Sequence, residues 1–239
     1  MQEKTERLCT HAESIGLWIN TNKTKVLRIN NKETNPITIK GRNVEDVDTF
    51  TYLGAIVNKT GGTTEDIKHR LSLARNAFAM LNPLWKSTKY SRAAKIKVIN
   101  SNVMSVLLYG AEMWKLNESD ITRLETFQRK CLRRELRIFW PMKVSNDELY
   151  CRTRTCPVGE VVKCRRWRWI GHTLRKPHDN NSRVALTWVP EGKRKRGRPK
   201  ITWRRSAEGE REQLGWQTWS EAVTVANDRV RWRKILSSL

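Results

Sequence analysis

Long apolar runs are missing from this 239-residue chain. Even runs such as Val106 to Tyr109 and Ala77 to Leu81 are far short of the roughly 20 residues that a membrane-crossing helix needs. The amino terminus, MQEKTERLCT, has no apolar core of the kind a secretory signal requires. The expectation is therefore a nuclear or cytoplasmic protein, not a secreted one, with no membrane partner. Cysteine is scarce and odd in number: Cys9, Cys131, Cys151, Cys156 and Cys164. That argues against a disulfide framework. Histidine numbers only 4, no Ser-His-Asp arrangement stands out, and no glycine-rich phosphate loop is present, so hydrolase and NTPase readings have little footing. Adjacent aspartates are absent as well. Glu45-Asp46 and Glu65-Asp66 are adjacent acids, read as part of a hairpin and as the first turn of a helix. Two-metal chemistry needs clustered carboxylates to hold both ions, and neither pair meets that need.

What the chain has in excess is positive charge. Lys and Arg number 47 against 24 Asp and Glu, for a net charge of +23 and a pI near 10.4. Residues 151–239 hold 22 basic against 8 acidic side chains, and residues 1–150 hold 25 against 16. The shorter stretch is thus much the more basic per residue, which sets it apart as a module. Such a balance calls for a polyanion. With no apolar span, nucleic acid leads over an anionic membrane. Tryptophan is the second excess, at 11 residues. Trp167, Trp169, Trp188, Trp203 and Trp232 lie in the Arg/Lys-rich stretch beyond Arg165. Each is read first as a core anchor, with base stacking as the alternative.

The pattern along the chain predicts an α+β fold. Residues 1–62 open with a helix over Met1–Ser14, closed by Gly16. Strands follow at Lys25–Ile29 and around Ile37 and Ile39, with a hairpin-like return after Gly41. The strongest strand signal is Phe50–Val57, with a turn at Gly61-Gly62. Residues 63–150 read as helices. Thr63 or Thr64 caps the first, and Ile67, Leu71, Ala74, Phe78 and Leu81 recur at helical spacing. Ser91 opens the second, and Ser119 or Asp120 the third. Ser145-Asn146-Asp147-Glu148 forms a capping box. In residues 151–239 helices are predicted at Val161–Leu174, about 202–214 and 218–237.

Six motifs stand in order: Gly16-Leu17-Trp18-Ile19-Asn20-Thr21-Asn22-Lys23-Thr24-Lys25; Phe50-Thr51-Tyr52-Leu53-Gly54; the helix Arg70 to Leu84; Leu107-Leu108-Tyr109-Gly110-Ala111-Glu112-Met113-Trp114; Arg166-Trp167-Arg168-Trp169-Ile170-Gly171-His172; and Gly197-Arg198-Pro199-Lys200-Ile201-Thr202-Trp203-Arg204. Together they resemble the carboxy-terminal part of the endonuclease–reverse transcriptases of LINE-type, non-LTR retrotransposons. The resemblance implies the end of a palm with a primer-grip hairpin over 1–62, a helical thumb or connection over 63–150, and a basic nucleic-acid-binding region over 151–239. It implies an RNA-directed DNA polymerase whose Mg²⁺ ions sit on paired aspartates upstream of a segment like Met1–Ala12. Those aspartates are not among these residues, so the chain alone is expected to be inactive and to need no cofactor, while retaining template–primer and target-DNA binding. Lys23 or Lys25 would serve as proton donor only in an intact enzyme. Tyr52, Leu53 and Gly54 would hold the primer. Lys68, Arg70 and Arg75 would follow the duplex backbone, and Arg165, Arg166, Arg168, Arg204 and Arg205 would add contacts in the tail.

Lys193, Arg194, Lys195, Arg196, Gly197, Arg198 and Lys200 make the densest basic run. Arg196-Gly197-Arg198-Pro199 resembles an AT-hook core, in which arginines enter a narrow minor groove. The usual preceding proline is replaced by Lys195. The run also reads as a nuclear localisation signal or a plain phosphate-binding linker. A stand-alone nuclear DNA-binding protein and a transposon relic without function are the alternative readings. Cys151, Cys156, Cys164 and His172 are weak zinc candidates, because their spacing is looser than zinc sites commonly use.

Overall fold

The first helix, α1 (Gln2–Ser14), stops where Gly16 enters the left-handed region at φ +77°. There the Gly16 and Leu17 amides donate back to the carbonyls of Glu13 and Ala12, at 3.0 and 2.9 Å. Glycine adopts that conformation without the steric cost a Cβ imposes. The structure is a computed structural model that describes residues 1–29, 34–188 and 201–237. Its contacts divide the chain into two compact units, Met1–His69 and Arg70–Leu239. The fold class is α+β, as the sequence predicts.

In the first unit six short strands follow α1: β1 (Lys25–Val26), β2 (Thr38–Ile39), β3 (Arg42–Asn43), β4 (Glu45–Asp46), β5 (Thr49–Tyr52) and β6 (Ala55–Asn58). They form three separate pairs. β1 runs parallel to β4, and β2–β3 and β5–β6 are antiparallel hairpins. Both hairpins turn on two residues with positive φ, Lys40-Gly41 and Leu53-Gly54, the requirement of a tight turn matched to strand twist. The Gln2 side chain behaves like a missing strand. Its amide donates to the Thr38 carbonyl at 3.0 Å, and its oxygen accepts from the Thr38 amide at 2.9 Å. Three expectations are corrected here. Lys25–Ile29 is a strand only over its first two residues. Phe50–Val57 is not one strand but folds back on itself. Its turn is at Leu53-Gly54 rather than Gly61-Gly62, because Gly54 accepts the second left-handed position.

The division between the units falls within α2 (Thr64–Met80). α3 (Asn82–Lys86) carries Pro83 in its first turn, and its Trp85 stacks on Phe78 at 5.0 Å. Ser91 caps α4 (Arg92–Val98) by accepting from the Ala94 amide. A π-turn over Ile99–Val103 carries it into α5 (Met104–Leu107). After a short 3₁₀ turn at Ala111–Met113 comes α6 (Glu118–Glu135), then α7 (Asn146–Thr153) and α8 (Val158–Leu174). α9 (Asn181–Thr187), α10 (Trp203–Gln213), α11 (Trp219–Asn227) and α12 (Arg229–Ser237) complete the described chain. The predicted helix over 218–237 is thus two, broken at Asp228, whose carboxylate accepts from the Val230 and Arg231 amides at 3.0 Å. A side chain that caps a new helix competes with continuing the old one. α6 begins after Asn117, one or two residues ahead of its expected start at Ser119 or Asp120, because Asn117 accepts from the Asp120 amide. The sequence pattern does not predict α3 or α9.

The core of the second unit surrounds α8. Trp167, Ile170 and Leu174 from α8 meet Trp216, Ala222, Val225, Ala226, Trp232 and Leu236. Trp167 lies 5.4 Å from Trp216 and 6.1 Å from Trp232, and Trp216 stacks on Trp232 at 5.1 Å. Side chains of this size bury 150–250 Å² each, so four or five of them are enough to hold several short helices. Gln128 of α6 secures the start of α8: its side chain donates to the Cys156 carbonyl at 2.8 Å and accepts from the Val158 amide at 3.1 Å.

Candidate nucleic-acid interface

The hairpin β5–β6 presents Tyr52, Leu53 and Gly54 at its exposed tip. Leu53 sits at φ 49°, a conformation that costs a side-chain-bearing residue about 1–2 kcal/mol. Lys59 pairs with Asp48 beside the hairpin at 2.6 Å. Lys23 is exposed, and Lys25 is paired with Glu45. Lys68 is exposed and pairs with Glu65 at 2.8 Å.

Both acidic pairs are engaged within the fold. Glu45 holds Lys25 and Asp46 holds Arg28; Glu65 holds Lys68, and Asp66 accepts from the Ile56 amide at 2.9 Å. Among the described residues no three His, Cys, Asp or Glu side chains come together as metal ligands. The residues present therefore do not fit the Mg²⁺ pair of a polymerase. Cys151, Cys156, Cys164 and His172 are not brought together either. Cys151 and Cys156 are exposed, and the Cys164 thiol faces the Leu236 carbonyl at 3.6 Å.

In the second unit the predicted basic residues divide into two sets. One set is turned inward. Arg70 is buried with its guanidinium 4.4 Å over the Tyr109 ring. Arg165 donates to the Leu108 carbonyl at 2.7 Å. Arg166, 1% exposed, pairs with Glu210 and donates to the Trp114 carbonyl at 2.8 Å. Glu210 also accepts from the Trp167 indole at 3.0 Å. Arg166 is thus fixed inside the fold, and its reading as a phosphate contact is corrected on that ground: a guanidinium already paired and desolvated cannot also reach a solvent-borne backbone. The other set reaches the surface. Arg75, Arg168 and Arg205 are exposed, while Arg204 lies half-buried near Glu208 at 3.3 Å. Lys193, Arg194, Lys195, Arg196, Gly197, Arg198 and Lys200 lie outside the described residues.

The tryptophans follow the core reading in four of the five cases. Trp167 and Trp232 are buried, and Trp169 and Trp203 meet edge-on at 5.8 Å. Trp203 also donates to the Glu112 carbonyl at 2.8 Å. Only Trp188 of the five is exposed. Sequence reasoning missed a further basic group: Arg175 after α8, and Arg229, Arg231, Arg233 and Lys234 on α12. Their signal was the four-residue spacing of Arg229 and Arg233, which places both on one helix face.

No helix among the described residues is long and apolar enough to cross a membrane. Residues 77–109, from the end of α2 to Tyr109, match the family model described as a domain of unknown function, DUF6451. No solved structure matches the chain. Across 249 aligned residues the chain is 28% identical to an uncharacterized transposon-derived protein of Caenorhabditis elegans, a likeness that spans 97% of this chain and 86% of that relative.

Proposed function

We propose that these residues are the carboxy-terminal part of a LINE-type endonuclease–reverse transcriptase, binding template–primer or target DNA without supplying metal-ion chemistry. The observation that carries this reading is the likeness to a transposon-derived protein along nearly the whole chain. The ordered motifs add the reverse-transcriptase assignment, since each would have a place in such an enzyme. The net charge of +23 supports a polyanion partner, because phosphate neutralisation by Lys and Arg dominates nucleic-acid affinity. The hairpin tip at Tyr52-Leu53-Gly54 is accessible, as a primer contact must be, and so are Arg75 and Lys68 along α2.

Competition binding to the full chain tests the reading. Primed template and RNA–DNA hybrid should displace a labelled oligonucleotide better than AT-rich or mixed duplex DNA of equal length. Preference for AT-rich duplex would favour the AT-hook reading instead. Absence of binding at low salt would leave a transposon relic with no nucleic-acid role.

A further inference from the structure

Where α8 ends and α12 begins, the second unit holds a cleft of about 310 Å³ lined by His172, Arg175, Arg229, Trp232 and Arg233. That volume is at the lower end of ligand sites, about 300–1,000 Å³. His172 and Arg175 are three residues apart, and Arg229 and Arg233 four apart, so each pair shares a face. The two helices meet closely here because Gly171 has no side chain and the Trp232 indole lies against it. Arg175 is held in place by donating to the Ala226 carbonyl at 2.9 Å.

Three guanidinium groups line the cleft. Among the described residues none of Arg175, Arg229 and Arg233 forms an ion pair. The nearby Asp228 carboxylate is engaged with the Val230 and Arg231 amides. Burial, then the charges of Arg229 and Arg233, pull the Arg175 guanidinium below the ordinary arginine range, so the three cations do crowd one another. The Trp232 Nε1–H, which has no acceptor among the described residues, is packed against Gly171 at the back of the cleft. Crowded guanidinium groups are what a multidentate oxyanion satisfies.

We propose that this cleft binds a single phosphate group, in the first instance a backbone phosphate of nucleic acid. The choice of source rests on the functional reading above; the pocket itself does not.

The test compares the full chain with Arg229→Gln/Arg233→Gln and with a control, Lys97→Gln/Lys130→Gln, which removes two exposed lysines elsewhere. Melting temperature is followed as inorganic phosphate is added, and oligonucleotide affinity is followed against salt. Phosphate should raise the melting temperature of the wild type and the control, since a ligand bound only by the native state stabilises it, and should leave the arginine variant unmoved. Without phosphate the arginine variant should melt no lower than wild type, because like-charge crowding is relieved. The slope of log affinity against log salt should shrink by about 1 more in the arginine variant than in the control, the loss of one phosphate contact. A phosphate effect confined to chains with both arginines, but no extra slope change, would keep the pocket and assign it free phosphate. The same phosphate effect with no oligonucleotide binding at all would keep the pocket and end the nucleic-acid reading. Equal phosphate response in all three proteins, or none in any, would overturn the proposal.

Discussion

Lys95 and Glu135 show how single side chains carry this fold. They are 7% and 2% exposed, with Nζ and Oε1 3.4 Å apart, and Lys95 also donates to the Trp85 carbonyl at 3.0 Å. Burial raises the Glu135 carboxyl above its ordinary 4.5, against the lowering pull of Lys95. A carboxyl with a raised folded pKa takes up its proton before the unfolded chain does. Its contribution is therefore present at acid pH and declines as pH rises through the folded value. Lys95→Met would leave Glu135 bare and strengthen that trend. We expect it to cost about 3 kcal/mol at neutral pH and clearly less at pH ~4.5, where the carboxyl protonates. Lys95→Met/Glu135→Leu should recover most of the loss, since an apolar replacement of a buried pair is often neutral. Urea titrations at both pH values check this; a deficit independent of pH would mean Glu135 is not the group left exposed to the penalty. The buried Cys131 obeys the same physics, its thiol pushed up to about 12, which keeps it protonated and inert.

Between elements, α8 and α12 meet closely at Gly171. A Cβ at Gly171 would stand 2.4 Å from the Trp232 ring, and that ring is itself stacked on Trp216. It has nowhere to move cheaply. Gly171→Ala should destabilise the chain by about 1–3 kcal/mol, the usual range for an overpacked core, despite alanine's better helix propensity. Thermal melting checks it; a gain in stability would show that the helices separate freely. The local signals at this scale were legible in the sequence. Ser91 and Ser145 cap where their spacing says they should, and Ile67, Leu71, Ala74 and Phe78 are buried as their periodicity says. What was not legible depends on residues far apart. Arg166 meets Glu210 across 44 positions and Trp203 meets Glu112 across 91, so nothing nearby distinguishes an inward arginine from a nucleic-acid contact. The phosphate cleft was hidden for the same reason, since its arginines come from helices more than 50 residues apart. Strand length failed differently. β-branched runs such as Phe50–Val57 announce strand, yet the turn inside them depends on whether Leu53 accepts a positive φ.

At the scale of the whole chain, apolar burial is distributed as unevenly as charge. Among described residues 1–62, only Ile39 and Val44 are buried apolar side chains. α1 buries none, and Leu8, Leu17 and Trp18 are exposed. The strands there are pairs of two to four residues held by backbone bonds and by ion pairs such as Arg28–Asp46 and Lys40–Glu13. Exposed pairs of this kind each contribute about 0–1 kcal/mol, whereas ordering each residue costs roughly 1.5 kcal/mol. Residues 63–239 contain almost all of the buried apolar side chains, including the tryptophan core. They also keep the Thr63 carbonyl that accepts the Ile67 amide at the start of α2. A 63–239 fragment should therefore melt cooperatively within a few degrees of the full chain, while 1–62 alone should show no thermal transition and weak circular dichroism. In the reading proposed above, residues 1–62 complete their packing against the rest of a palm, which would supply the apolar partner that Leu8, Leu17 and Trp18 lack. A cooperative transition in isolated 1–62 would defeat that account, because a segment that folds by itself has no need of the missing surface.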